Sequence, residues 1–126
     1  MTPEVEQAIE EIKTHFPGSS VEIESEPQGG AYVIVNDLDF GEKYTPSKNW
    51  IGFLIDFQYP RSDVYPHFFN RVVRRADGSQ YGVGISHISW RNKEAWQISR
   101  KSNRLNPTVD TAAFKLAKVL EWLKTQ

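Results

Sequence analysis

The sequence contains no cysteine, which excludes disulfides, thiolate metal ligands and cysteine nucleophiles. It also has no apolar run of the roughly 18 residues that a membrane-spanning helix needs. The acidic amino-terminal segment MTPEVEQAIEE lacks the apolar region of a signal peptide, so we expect a cytoplasmic protein without membrane contact. The chain has 126 residues and 39% apolar content, which suffices for one core, and we expect a single domain over residues 1–126.

Hydrophobic periodicity predicts a helix at each end of the chain. Thr2 is suited to cap the first helix, and Pro3 takes its first position, where the missing N–H costs nothing. The apolar stripe of this helix consists of Val5, Ala8, Ile9, Ile12 and Phe16, and Pro17-Gly18 ends it. The same capping logic predicts that a second helix begins at Asn106-Pro107. Its apolar stripe consists of Val109, Ala113, Leu116, Leu120 and Leu123.

Between the helices, alternating and β-branched stretches predict four strands. They cover Val21–Glu24, Ala31–Val35, Trp50–Phe57 and Phe68–Arg74. A polar linker is predicted over Asn36–Lys48, and Tyr81–Ser102 has no clear pattern, with Gly82 and Gly84 favouring irregular backbone. The order predicts an α+β fold with an amino-terminal helix, a four-stranded antiparallel meander, an irregular crossover and a carboxy-terminal helix.

Two Tyr-Pro pairs, Tyr59-Pro60 and Tyr65-Pro66, follow the third predicted strand. Proline cannot donate to a sheet ladder, and the residue before a proline is restricted to extended geometry. We therefore expect a rigid corner at this point, which hinges the two halves of the domain.

This element order, together with Tyr59, Pro60 and Pro66, resembles the ubiquitin-conjugating (UBC/RWD-like) enzymes. That family has a similar helix and four-strand meander, with a Tyr-Pro and a further proline shortly after it. The segment Val83–Ile88, followed by Trp90, is similar to the family's Gly-x-Ile-Cys-Leu-like segment. Ser86 takes the position that the cysteine has in the family. The chain looks most like a bacterial branch whose genes commonly lie beside ubiquitin-like proteins and activating enzymes. The resemblance therefore implies a ubiquitin-like protein or its activating enzyme as partner.

Two departures from the family bear on activity. The family's His-Pro-Asn triplet is absent, with Asp77 near its place, and Ser86 stands where the transferring cysteine belongs. A serine hydroxyl needs an adjacent base to act as a nucleophile, and an oxygen ester is a poorer acyl donor than a thioester. The resemblance thus implies a non-catalytic binding or accessory module. The alternative is an active conjugating enzyme in which Ser86 replaces the cysteine.

His87 beside Ser86 suggests a nucleophile and its base. Neighbours on an extended strand point to opposite faces, so the two side chains would meet only across a kinked backbone. No acid in this segment is an obvious partner for His87. His15, His67 and His87 lie on separate elements without ligand spacing, so we expect neither a metal site nor a cofactor.

Tyr65, Phe68 and Phe69 cluster beside Pro66, and an alternating strand would leave part of this cluster exposed. Aromatic side chains next to a rigid turn are typical of protein-binding patches, so these three residues are candidates for partner binding. The alternative interpretation is that they cover the core.

The net charge of −1 conceals an asymmetry, since residues 1–26 are strongly acidic and residues 71–104 are strongly basic. The bases in the second segment are Arg71, Arg74, Arg75, Arg91, Lys93, Arg100, Lys101 and Arg104. Their interleaving with Tyr81, Trp90 and Trp96 suggests a nucleic-acid or effector-binding face as a further alternative. The sequence pI of 6.3 argues against nucleic acid. The charge asymmetry also has a simpler explanation, in which the acidic and basic segments face each other or solvent and bind no partner.

Overall fold

Two helices pack on one face of an antiparallel six-stranded sheet in the computed structural model, which describes all 126 residues. The helices are α1 (Pro3–His15) and α2 (Ala112–Lys124). The strands are β1 (Val21–Ser25), β2 (Ala31–Asp39), β3 (Tyr44–Thr45), β4 (Lys48–Ile55), β5 (His67–Asn70), β6 (Arg74–Arg75), β7 (Ile85–Trp90) and β8 (Lys93–Ile98). The large sheet has the order β1-β2-β4-β5-β8-β7, and β3 pairs with β6 separately. The α+β class and both terminal helices are confirmed.

Helix α1 begins as the sequence predicts. Thr2 Oγ1 accepts a hydrogen bond of 3.1 Å from the N–H of Val5, which satisfies one of the free donors of the first turn. Four residues of the predicted stripe are buried, namely Val5, Ala8, Ile9 and Ile12. The helix therefore has the amphipathic packing that its spacing indicates.

Strand β2 is longer than predicted. It continues past Val35 through a register shift to Asp39, with Asp37 at a φ of 56°. The polar linker predicted from Asn36 is therefore wrong in its first part, because a bulge lets the strand accommodate residues that break the alternation. Strand β3, at Tyr44, falls inside the rest of that predicted linker.

The strand predicted over Phe68–Arg74 is shorter in the structure. Strand β5 ends at Asn70, whose side-chain Oδ1 accepts a hydrogen bond from the N–H of Val72. This local bond turns the chain out of the sheet, so Arg74 and Arg75 pair with β3 instead of extending β5.

The irregular crossover predicted over Tyr81–Ser102 is wrong. Strands β7 and β8 form a regular hairpin in this segment, which raises the strand count of the main sheet to six. Arg91 and Asn92 form the two-residue turn, with φ values of 51° and 64°. Two successive positive φ values match the twist of a tight hairpin. Gly84 precedes the hairpin and does not interrupt it.

Helix α2 begins later than predicted. Asn106 and Asp110 close a separate turn, in which the N–H of Asn106 donates to Asp110 Oδ2 over 2.7 Å. The cap is Thr111, whose Oγ1 accepts from the N–H of Phe114 over 3.2 Å. Val109, predicted for the apolar stripe, is therefore outside the helix and exposed.

One core cluster of 24 buried residues joins both helices to the sheet. Its strand residues alternate along the chain, as Val33 and Val35 do on β2 and Ile51, Phe53 and Ile55 do on β4. The opposite face of the sheet, here called the outer face, carries no helix. Neither helix has the length and apolar character needed to cross a membrane.

Candidate functional site

Ser86 lies on β7, the edge strand of the main sheet, and its side chain is exposed. It pairs with Gln97 in the hairpin, which places it on the outer face. Its hydroxyl makes no side-chain hydrogen bond, so nothing in its surroundings prepares it to act as a nucleophile.

His87 points to the helix side of the same strand, because the register of the hairpin is regular from Ile85 to Trp90. Its Nε2 lies 2.6 Å from Glu94 Oε2, and its ring lies edge-on to Trp96 at 6.0 Å between centroids. The imidazole and the Ser86 hydroxyl are thus on opposite faces, and they do not form a nucleophile–base pair.

The partner of His87 could have been found from the sequence once the hairpin was known. Pairing of His87 with Trp96 makes Glu94 its diagonal neighbour on the same face. Without the hairpin, nothing in the local sequence pattern identifies Glu94 as the partner of His87.

A groove with a volume of about 410 Å³ opens beside His87. Tyr81 and Trp96 form its aromatic wall, and Arg74 and Arg75 are part of its lining. The Trp96 indole N–H donates to the carbonyl of Val73 over 3.1 Å, which fixes the ring. This mixture of flat aromatic surface and cations is suited to binding, and it contains no activated nucleophile.

Asp77 takes part in a local turn instead of a transfer site. Its Oδ1 accepts from the N–H of Ser79 over 2.9 Å and from the Ser79 hydroxyl over 2.6 Å. These hydrogen bonds hold the pKa of Asp77 below its usual value. A carboxylate engaged in this way has no free donor for a developing oxyanion.

The two Tyr-Pro pairs lie in the loop between β4 and β5. Tyr59 is buried, and its hydroxyl accepts a hydrogen bond of 3.0 Å from the backbone N–H of Ala112 at the start of α2. Pro60 and Pro66 are half-buried in the same loop. The loop thereby connects the centre of the sheet to the carboxy-terminal helix.

The exposed aromatic patch predicted from Tyr65, Phe68 and Phe69 is wrong. Phe69 is fully buried in the core, where its ring packs edge-on against Phe40. Phe68 is also buried, and on the outer face it stacks on Trp90 with 4.7 Å between centroids. Only Tyr65 is partly exposed, so the alternative interpretation of a covered core describes the two phenylalanines.

A buried polar cluster that the sequence analysis missed joins Asp63, Ser102 and Lys115. The Lys115 Nζ lies 3.1 and 3.2 Å from the two carboxylate oxygens of Asp63 and 2.9 Å from Ser102 Oγ. The N–H of Ser102 donates to Asp63 Oδ2 over 2.6 Å. Burial opposes ionisation of Asp63, but the bonds from Ser102 and Lys115 outweigh it and hold the pKa of Asp63 below its usual range. The three residues are 39 and 13 positions apart in sequence, and no local pattern reveals them.

His67 is fully buried on β5, and neither ring nitrogen has a hydrogen-bond partner. Its ring contacts Phe53 with 5.1 Å between centroids. Desolvation, with a further contribution from the positive charge of Lys115, lowers the pKa of His67 to about 3. The imidazole is therefore neutral at physiological pH.

The basic residues of the segment 71–104 are distributed over several surfaces. Arg91 lies over the Tyr32 ring and pairs with Glu24 on the outer face, whereas Arg71 lies 4.6 Å from the Trp96 ring on the helix side. The Arg91–Glu24 contact is the one ion pair between the acidic and basic segments. No single basic face is formed by the whole segment.

No protein-family model, curated protein or solved structure compared with the chain matches it. No group of three or more His, Cys, Asp or Glu side chains is placed to hold a metal ion. The arrangement of side chains around Ser86, His87 and the groove is therefore the basis for a functional assignment.

Proposed function

We propose that this domain is a non-catalytic binding module of the ubiquitin-conjugating-like type, and that it binds a ubiquitin-like protein or its activating enzyme. The observation that supports this most directly is the environment of Ser86. Its hydroxyl is exposed without a base, since the His87 imidazole lies on the opposite face beside Glu94. An alcohol in this setting does not attack a thioester, so binding is the role that remains for the site.

The element order is consistent with the proposed relationship over residues 3–70. Helix α1 is followed by the antiparallel strands β1, β2, β4 and β5, which are neighbours in the sheet, with the short β3 between β2 and β4 in the chain. Tyr59, Pro60 and Pro66 lie between β4 and β5. The hairpin β7–β8 departs from the family's irregular crossover. In this proposal the hairpin replaces the transfer site by an edge strand.

The proposed partner surface is the helix-side half of the hairpin. Strand β7 has a neighbour on one side only, so its other edge presents backbone donors and acceptors to a partner strand. The adjoining groove with Trp96 and Tyr81 would hold side chains of that partner. Backbone pairing would supply affinity, and the aromatic wall would supply specificity.

The test combines the domain with ubiquitin-like proteins of its host, their activating enzyme and Mg-ATP. We expect no covalent adduct of the wild-type domain, whether cleaved by thiols or by mild base, together with saturable binding measured by calorimetry. Amide shifts in NMR spectra should concentrate in Ile85–Trp90. Trp96→Ala should weaken the binding by about tenfold, as expected for a central aromatic contact. Trp50→Ala, on the outer face, serves as the matched control.

A second arm uses Ser86→Cys beside Ser89→Cys, which places a thiol on the same exposed strand. A thiol-sensitive adduct with Ser86→Cys alone would support descent from a transfer site at this position. A base-labile adduct on wild-type Ser86 would instead make the domain an active enzyme. Absence of binding to every ubiquitin-like protein and activating enzyme tested would reject the proposal.

A further inference from the structure

A second cavity lies where the chain leaves β8 and passes over α2. Its volume is about 160 Å³, and it is separate from the groove beside His87. Four cationic residues are among those that line it, namely Arg100, Lys101, Lys115 and Lys118. Ser102, Asn103 and Trp122 complete most of the lining.

The floor of this cavity is rigid because of the buried polar cluster. The Lys115 ammonium donates hydrogen bonds to Asp63 and Ser102, and its side chain is only 5% exposed. Asp63 neutralises this lysine, so the floor supplies a fixed polar surface with little net charge. The Ser102 backbone is held in place by the bond from its N–H to Asp63.

The rim supplies the net positive charge. Arg100 and Lys101 have no carboxylate partner within ion-pair distance; their cationic groups lie over aromatic rings, at 4.9 Å from Trp122 and 5.7 Å from Tyr65. The contact with Trp122, a lining residue, holds the Arg100 cation at the cavity without neutralising it. Tyr65 is not part of the lining, and its contact with Lys101 likewise leaves that cation without a neutralising charge. Lys118, which is half exposed, is 3.6 Å from Asp110, whose side chain is largely buried.

The geometry points to a binding site for the phosphate group of a phosphate monoester. The four cations and the two carboxylates Asp63 and Asp110 together leave two net positive charges. These would balance the two negative charges that a phosphate monoester carries above its second pKa of about 6. The volume admits a phosphate and a few further atoms. Arg100 and Lys101 would contact the phosphate oxygens, and the Asn103 amide is available as a neutral donor.

The experiment measures binding at pH 7.5 and low salt by calorimetry and by amide shifts of Arg100–Asn103. The probes are inorganic phosphate, glycerol 3-phosphate, a phosphoserine peptide and dimethyl phosphate. We expect saturable binding of the first three, and at least tenfold weaker binding of dimethyl phosphate, which has one charge and two blocked oxygens. Tighter binding of glycerol 3-phosphate would indicate a small-molecule source of the phosphate, and tighter binding of the peptide would indicate a protein source. Either result supports the site.

The double variant Arg100→Gln/Lys101→Gln tests the residues. It should lose at least about tenfold in phosphate affinity, since it removes two charge-assisted contacts. Lys93→Gln/Arg104→Gln changes the net charge equally on exposed residues outside the cavity, and should lose less than about twofold. Both variants alter exposed side chains only, and thermal unfolding verifies that each is folded.

Three results would overturn the assignment. The first is the absence of saturable phosphate binding, and the second is an equal loss of affinity in the two double variants. The third is an affinity for dimethyl phosphate equal to that for the monoesters, which would indicate a site for phosphate diesters. The proposal does not depend on the ubiquitin-like partner, because the cavity and the hairpin use different residues.

Discussion

At the scale of single residues, the core contains two buried basic groups in contrasting situations. Lys115 is compensated, since Asp63 and Ser102 occupy its ammonium. His67 has no hydrogen-bond partner at either ring nitrogen, and by staying neutral it avoids the larger cost of burying a charge. Burial of Lys115 depends on the opposite charge of Asp63, whereas burial of His67 depends on an imidazole that stays unprotonated.

His67 should therefore make the domain sensitive to mild acid. Its pKa is about 3 when folded and about 6.5 when unfolded, so only the unfolded chain takes up the proton between these values. Stability is unaffected above pH 6.5 and is lost as pH falls towards 3, by about 1.4 kcal/mol per pH unit. Urea unfolding at pH 7, 6 and 5 measures this slope.

The variant His67→Phe removes the titrating group while keeping a flat ring, and should abolish most of that slope. Measurements above pH 4.5 avoid the pH dependence of Asp63, because a carboxyl with a lowered pKa contributes its full stability above the unfolded value of about 4 and loses it progressively as pH falls below that value. An unchanged slope in the variant would show that another group is responsible.

At the scale of elements, α2 is positioned by two side-chain hydroxyls at its amino terminus. Thr111 caps the helix from its own segment, and Tyr59 reaches its first backbone N–H from the β4–β5 loop. The first turn of a helix has free N–H groups that need such acceptors. The loop containing Pro60 thus fixes where the helix lies as well as where the strand ends.

Removing the Tyr59 hydroxyl should destabilise the domain without unfolding it. Tyr59→Phe leaves the N–H of Ala112 buried without an acceptor, which costs about 1–2 kcal/mol. Tyr32→Phe is the matched control, because the Tyr32 hydroxyl makes no hydrogen bond within the protein, and its effect should stay below about 0.5 kcal/mol. Chemical denaturation measures both; equal effects of the two variants would contradict the assigned role.

At the scale of the whole molecule, the outer face of the sheet is covered by side chains of the sheet itself. The Trp90 ring reaches from the hairpin to β5, where it stacks on Phe68, and on to β4, where it lies over Gly52. An ideal Cβ on Gly52 would lie 2.4 Å from this ring, so the glycine is required for close packing and not for its backbone angles. The hairpin is thereby attached to the centre of the sheet.

Gly52→Ala should displace Trp90 and loosen the hairpin. We expect a loss of about 1–3 kcal/mol in stability, typical of overpacking, together with a red shift of tryptophan emission. Gly18→Ala is the control, since its Cβ would meet nothing within 4 Å. Gly52→Ala/Trp90→Leu should recover part of the loss, and a double variant no more stable than the single one would argue against this contact.

The sequence by itself determined the elements whose signals are local. Helix α1 follows from Thr2, Pro3 and the apolar stripe, and the alternation of β2 and β4 follows from their β-branched and aromatic residues. These patterns depend on neighbours within a turn or a strand, so the order of residues is sufficient. The α+β class follows from them.

The tertiary structure decided what depends on distant partners. The hairpin β7–β8 turns at Arg91-Asn92, a pair with none of the usual glycine signal, and its pairing with β5 supports it. The cluster of Asp63, Ser102 and Lys115 and the cations beside it are assembled from separate segments, as are the contacts of His67. Charge compensation and burial act through space, and spacing along the chain does not encode them.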